Sequence, residues 1–166
     1  MTANEARLGV DIGRVIIDGP RHGSADTAFF TGGLAEALRT PAVPGAFDAL
    51  AELTARFDRR VWLISKCGVR IEGRSLAWLD HHDFYRRTGI PADNVRFCRR
   101  RVDKAPICAG LAITHFIDDR VDVLAALRNI VPQLFLFRTP APHAALAWLT
   151  PLAEWAAAAQ LVLPER

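Results

Sequence analysis

The stretch Arg7–Asp18, RLGVDIGRVIID, decides the fold. Leu8, Gly9 and Val10 form a short apolar run that delivers one carboxylate, Asp11, into a tight Ile-Gly-Arg corner, and a second β-branched run follows at Val15–Ile17. A buried strand that ends on an acidic residue and then turns on glycine places that residue at the carboxyl edge of a sheet. In open α/β sheets that edge is where ligands bind. Asp11 is therefore the first candidate for chemistry, against the alternative of a solvated aspartate starting an ordinary turn.

Working outward, strands and helices alternate. Pro44-Gly45 opens a helix with Phe47, Leu50, Leu53 and Phe57 on one face. Val61–Ile64 is a continuous apolar run suited to a strand covered on both faces, and it ends at Ser65-Lys66. Glu72–Arg87 reads as one helix closed by Gly89-Ile90-Pro91, and Val95–Cys98 as a short strand. Lys104–Leu111 reads as a helix with Pro106 tolerated in its first turn. Ile113–Ile117 is a strand running into Asp118-Asp119, Asp122–Ile130 a helix, and Leu134–Phe137 the last strand. His143–Ala159, with Leu146, Leu149, Leu152, Trp148 and Trp155, reads as a final helix whose apolar face packs on the core; a dimer contact is the alternative. Such alternation predicts a three-layer, Rossmann-like α/β domain with a mostly parallel sheet and helices on both faces.

Composition sets bounds. A chain of 166 residues predicts one domain, residues 1–166, large enough for a substantial core. No apolar run approaches the ~20 residues that span a bilayer, so no membrane partner is expected. The N-terminal MTANEARLGV lacks a basic segment followed by an apolar one, and the cysteines Cys67, Cys98 and Cys108 have no zinc-ligand spacing. Both point to a cytoplasmic protein with reduced thiols. A net charge of +3 is too small to identify nucleic-acid binding by itself. Arg96, Arg99, Arg100, Arg101 and Lys104 do cluster, either as a solvated loop or as a rim that steers anions.

Three strands end on polar residues: Asp11, Ser65 and Asp118-Asp119. Parallel strands place all three ends on one edge, and Lys104 opens the helix that feeds the third. Carboxylates from two strand ends can share a hard cation such as Mg²⁺, which also takes carbonyl, water and phosphate oxygens. A hydroxyl and an ammonium nearby are what a phosphoryl group needs for hydrogen bonding and charge balance. Asp11 is then placed to act as a carboxylate nucleophile.

The order Asp…Ser…Lys…Asp-Asp resembles the haloacid dehalogenase-like (HAD) superfamily of phosphatases and phosphotransferases, from about Arg7 to about Phe137. Its motifs correspond to Val10-Asp11-Ile12-Gly13-Arg14-Val15, Leu63-Ile64-Ser65, Lys104, and Phe116-Ile117-Asp118-Asp119. The resemblance implies Mg²⁺ held by Asp11, the Gly13 carbonyl and Asp119, with Asp118 supporting them. It implies Asp11 as nucleophile and Ser65, Lys66, Arg14 and Lys104 around the phosphoryl group. With only the 19–44 loop between the first two motifs, the chain is similar to capless members, whose open sites accept bulky substrates or are closed by a partner subunit. The resemblance implies a phosphorylated substrate, an open site beside the arginines at Arg96–Arg101 leaves a nucleotide, another polyanion or a nucleic-acid end as candidates, and a homodimer is the candidate assembly.

One departure stands out. Members of the family normally carry a second aspartate two residues after the nucleophile, where this chain has Gly13. General acid–base catalysis typically contributes roughly 10²–10⁴-fold, about 3–5 kcal/mol in barrier. Asp18 and His22 are candidate substitutes, and Arg14 a candidate charge stabiliser. His81-His82-Asp83, late in its helix, reads as a solvated helix end rather than a metal site. Two functions follow: a phosphohydrolase or phosphotransferase of low or specialised activity, or an impaired domain that binds a phosphorylated ligand or partner without turnover.

Overall fold

A computed structural model describes residues 5–19, 28–138 and 144–163. Six parallel strands form one sheet in the order β3-β2-β1-β4-β5-β6. They are β1 (Leu8–Val10), β2 (Val61–Lys66), β3 (Val95–Cys98), β4 (His115–Asp118), β5 (Gln133–Phe137) and β6 (Thr150–Leu152). Two strands step outward from β1 on one side, β2 and β3, and two from β4 on the other, β5 and β6, so the direction of winding reverses between these two neighbours. That reversal opens a crevice at the carboxyl ends of β1 and β4, the usual ligand position in open α/β sheets. The expected α/β, Rossmann-like sheet is the one observed.

Alternation along each strand divides the core in two. Leu8, Val10, Val61, Leu63, Ile117, Phe135 and Phe137 face one layer. That layer holds α3 (Ala46–Arg56), α4 (Val69–His81), α5 (Phe84–Thr88) and α8 (Ala158–Val162). Ile64, Phe116, Leu134 and Leu136 face the other, against α6 (Lys104–Gly110) and α7 (Val121–Leu127). Gly9 sits opposite Phe116 in the ladder, and a Cβ there would lie 2.5 Å from the Phe116 ring. Only glycine lets that ring lie flat on β1.

The 19–44 segment carries two short helices, α1 (Ala28–Thr31) and α2 (Leu34–Leu38); its residues 20–27, with His22, lie outside the described residues.

Three readings of the chain are corrected. The single helix over Glu72–Arg87 is two, α4 and α5, separated where Asp83 adopts a left-handed φ of 54°. The break turns Phe84 edge-on to Phe47, with centroids 5.1 Å apart. The final helix over His143–Ala159 is instead two 3-10 turns, a strand and a short helix, and His143 itself is outside the described residues. Leu134–Phe137 is therefore not the last strand: Thr150–Leu152 pairs with Phe135–Phe137 as β6. Pro151 is tolerated there because an edge strand has one row of unpaired amides. Lastly, Val61–Ile64 extends through Lys66, so Ser65 and Lys66 are strand residues.

Candidate functional site

The Asp11 carboxylate leaves β1 where its own N–H donates to the Ile117 carbonyl at 3.0 Å, across the gap to β4. The chain then curls back on itself. Arg14 takes a left-handed φ of 62°, donates its N–H to the Ile17 carbonyl at 2.8 Å, and Gly13 bridges Ile17. Ile17 also bridges Ala42, and Trp155 Nε1 donates to the Val15 carbonyl at 2.7 Å, so the corner is fastened from below. The β-branched residues 15–17 fill the core, and residues 11–14 are left facing the crevice.

Asp11, Asp118 and Asp119 each offer a carboxylate oxygen, and these atoms lie within 4.8 Å of one another. Lys104, at the start of α6, reaches into the group. Its Nζ donates to Asp11 Oδ1 at 2.9 Å and to Asp118 Oδ2 at 2.8 Å, and it sits 5.5 Å over the Phe116 ring. Asp118 is fully buried, and its other oxygen accepts the Arg120 N–H at 3.0 Å, one residue ahead of α7. Arg14 Nε lies 2.9 Å from Asp119 Oδ2. The remaining Asp119 oxygen, Oδ1, is buried with no hydrogen-bond partner among the described residues.

Three carboxylates thus face two cations. Burial works to lower the Lys104 ammonium, but the Asp11 and Asp118 carboxylates outweigh it and hold lysine above its ordinary range. Burial and the neighbouring Asp11 carboxylate push Asp118 and Asp119 above the ordinary carboxylate range. A further positive charge would relieve the excess. An orphaned, buried carboxylate oxygen beside two more hard oxygen donors fits a Mg²⁺-like ion. The three carboxylates therefore fit the metal that the resemblance implies, with Asp118 held by Lys104.

A cleft of about 430 Å³ opens over the group, lined by Asp11, Gly13, Arg14, Ser65, Lys66, Lys104, Asp118 and Asp119 together. Every residue singled out for the site thus reaches one cavity. Asp18 reaches it as well, but its Oδ1 is paired with Arg138 Nη1 at 3.0 Å. The arginine cluster is largely matched: Arg99 pairs with Glu72, Arg100 with Asp103, and Arg101 lies 3.9 Å from Asp122 at the cleft edge. His81 and Asp83 are exposed, as a solvated helix end would be, but His82 is half-buried, packs on Trp78 and bonds the Leu38 carbonyl, away from the cleft.

Sequence reasoning missed the cleft's apolar wall, Phe29, Phe30, Ile17 and Ile71. The adjacent phenylalanines are visible in the sequence, but their position is not. Arg70 Nη1 donates to the Phe30 carbonyl at 2.7 Å, and Arg74 donates to the carbonyls of Phe29 and Gly32, tethering α1 to α4.

The chain forms a Rossmann-like α/β fold with acidic residues at the switch point of its parallel sheet. Among solved structures, the chain is similar to a haloacid dehalogenase-like hydrolase candidate from Burkholderia xenovorans LB400, with a TM-score of 0.61 over 94% of this chain and 96% of that one. At 13% identity the likeness concerns the fold. No family model and no curated protein matches the sequence. Among the described residues no helix is long and apolar enough to cross a membrane.

Proposed function

We propose that this protein is a Mg²⁺-dependent phosphohydrolase or phosphotransferase of the HAD type, with Asp11 as its nucleophile. One observation carries the reading: Lys104 bridges Asp11 and Asp118 at the switch point while Asp119 Oδ1 stands buried and unpartnered beside them. That arrangement orients a carboxylate at the floor of a cleft and leaves room for a cation.

In this mechanism Lys104 orients the Asp11 carboxylate through its 2.9 Å hydrogen bond and offsets charge on the incoming phosphoryl group. Asp11 attacks phosphorus, the ester oxygen leaves, and an aspartyl-phosphate forms for water or another acceptor to resolve. Ser65 and Lys66, at the end of β2, and Arg14 line the cleft where the phosphoryl oxygens would lie. Bound Mg²⁺ would neutralise those oxygens and align them for in-line attack. The chain reads as a single 1–166 domain in which α1 and α2 stand where larger relatives would carry a cap.

Asp11→Asn is expected to lower phosphatase activity by about 10⁴–10⁶-fold, the scale seen when a nucleophilic group is removed. Acid-quenched wild type should carry a hydroxylamine-sensitive phosphoryl group that the variant lacks. Full activity in Asp11→Asn rejects the assignment. Gly13 favours a second reading, a phospho-ligand-binding domain without turnover. An inert wild type that gains activity as Gly13→Asp establishes that alternative.

A further inference from the structure

A phosphoryl group at Asp11 occupies only the floor of the 430 Å³ cleft. That volume falls in the range that encloses whole small molecules, roughly 300–1,000 Å³. What stands above the floor therefore selects the rest of the substrate. Two arginines that the mechanism does not use, Arg101 and Arg120, line the same cleft. The fold ties both of them to the floor. Arg101 opens a 3-10 turn, Arg101–Asp103, that runs straight into α6, so it stands three residues ahead of Lys104. Residues three apart share a helix face. Arg120 directly follows Asp119, and its N–H donates to Asp118 Oδ1 at 3.0 Å.

The charge on this wall is undermatched, because one carboxylate, Asp122, serves both arginines. Arg120 Nε and Nη2 donate to its two oxygens at 3.0 and 3.3 Å. Arg101 Nε stands 3.9 Å from Asp122 Oδ2, beyond hydrogen-bond reach. Asp118 and Asp119 also lie near Arg120, but Lys104 and Arg14 engage them. The Arg101 and Arg120 side chains are 45% and 37% exposed, and a guanidinium carries five N–H donors. Lys66 adds a third positive charge to the wall. Ile64 packs in the α6–α7 layer, and alternation turns Lys66, two residues on, to that side of the sheet. Two guanidiniums sharing one carboxylate, beside a phosphoryl site, form a receptor for a second anion, since the planar fork matches carboxylate and phosphate oxygens.

We propose that the cleft takes phosphate esters that carry a second anionic group, a carboxylate or a further phosphate, with the phosphoryl group at Asp11 and the second anion at Arg101 and Arg120. The proposal rests on the phosphoryl-transfer reading above and names its substrate class. Binding at the arginines holds the ester in place against Asp11, which raises kcat/KM for doubly anionic esters over those with an uncharged tail.

Binding is tested without turnover. Calorimetric titration in the presence of Mg²⁺ compares methylphosphonate, phosphonoacetate and ethylenebisphosphonate, which share one phosphonate head and differ in the second group. Wild type should bind at least one of the doubly anionic compounds about ten- to hundredfold more tightly than methylphosphonate, the scale of hydrogen bonds to charged groups. The tighter of the two identifies the second anion as carboxylate or phosphate. Arg101→Gln and Arg120→Gln should each remove most of the preference and leave methylphosphonate affinity little changed. Arg101→Lys, which keeps the charge without the fork, should retain part of it. In turnover, wild-type kcat/KM should be higher for carboxyethyl phosphate than for propyl phosphate, and the two glutamine variants should bring the esters together.

Equal wild-type affinities for the three phosphonates overturn the second-anion site. A preference that survives undiminished in Arg101→Gln and Arg120→Gln overturns these arginines as its holders and assigns it to chelation of the metal. Absence of turnover on both esters with the preference intact and sensitive to the arginines rejects the hydrolase reading instead, and leaves the second-anion site standing.

Discussion

The two ends of β4 treat buried ionisable groups in opposite ways. At the amino end His115 is 8% exposed. Its ring is edge-on to Phe57 and stacked on Phe135, and its Nδ1 lies 2.7 Å from the Thr114 hydroxyl. Burial among those rings pushes the imidazole down to about 4, so it is neutral at physiological pH. At the carboxyl end Asp118 is fully buried in a network that supplies an ammonium and a backbone N–H. A buried group either gives up its charge or has it matched. Matching with two cations among three carboxylates leaves unspent charge at one end of the strand, and that end is the one that can hold a ligand.

The largest break in this contrast comes from Lys104→Met. It leaves Asp11 and Asp118 facing each other without their shared cation, and losing one partner of a buried pair costs about 3–5 kcal/mol. The urea midpoint should fall accordingly, and adding Asp118→Asn should restore part of the loss. A drop within error of zero would mean the network is solvated and the contrast with His115 is false.

Acid sharpens the other side. The folded pKa of His115 lies below its unfolded value of 6.5, so the unfolded chain binds the extra proton first. The stability from keeping His115 neutral is complete above 6.5, is lost as pH falls from there towards 4, and amounts to about 3 kcal/mol. Urea unfolding at pH 7 and at pH 4.5 should show that loss, and His115→Phe should flatten it. An unchanged pH dependence in the variant assigns the acid sensitivity elsewhere.

A smaller effect is expected at Gly9→Ala. The added methyl meets the Phe116 ring, which lies beneath the Lys104 ammonium. Overpacking of this kind costs about 1–3 kcal/mol. If the shift passes through the ring, thermal stability and phosphatase kcat fall together; a loss of stability alone confines the strain to the core.

The strand ends were legible because an apolar run that stops on a charged residue is a local pattern. Asp11, Ser65 and Asp118 could be placed on one edge once the strands were read as parallel. The failures share a different cause. Leu146, Leu149, Leu152 and Trp155 keep helical spacing, yet residues 150–152 gain more by completing the β5 edge than by closing a helix around Pro151. Leu79 and Phe84 likewise read as one helix, but Asp83 breaks it so that Phe84 can meet Phe47. Each outcome depends on a partner far along the chain.

The same division holds for the site. By itself the sequence determined which polar residues stand at the strand ends that meet in the cleft, and the absence of a carboxylate at Gly13. Tertiary structure alone decided that Lys104 spans Asp11 and Asp118, that Arg14 takes Asp119, and that Phe30 stands across the cleft. Spacing along a chain encodes local period and the face of an element. The distance between side chains 93 residues apart is set only when crossovers bring two strands side by side.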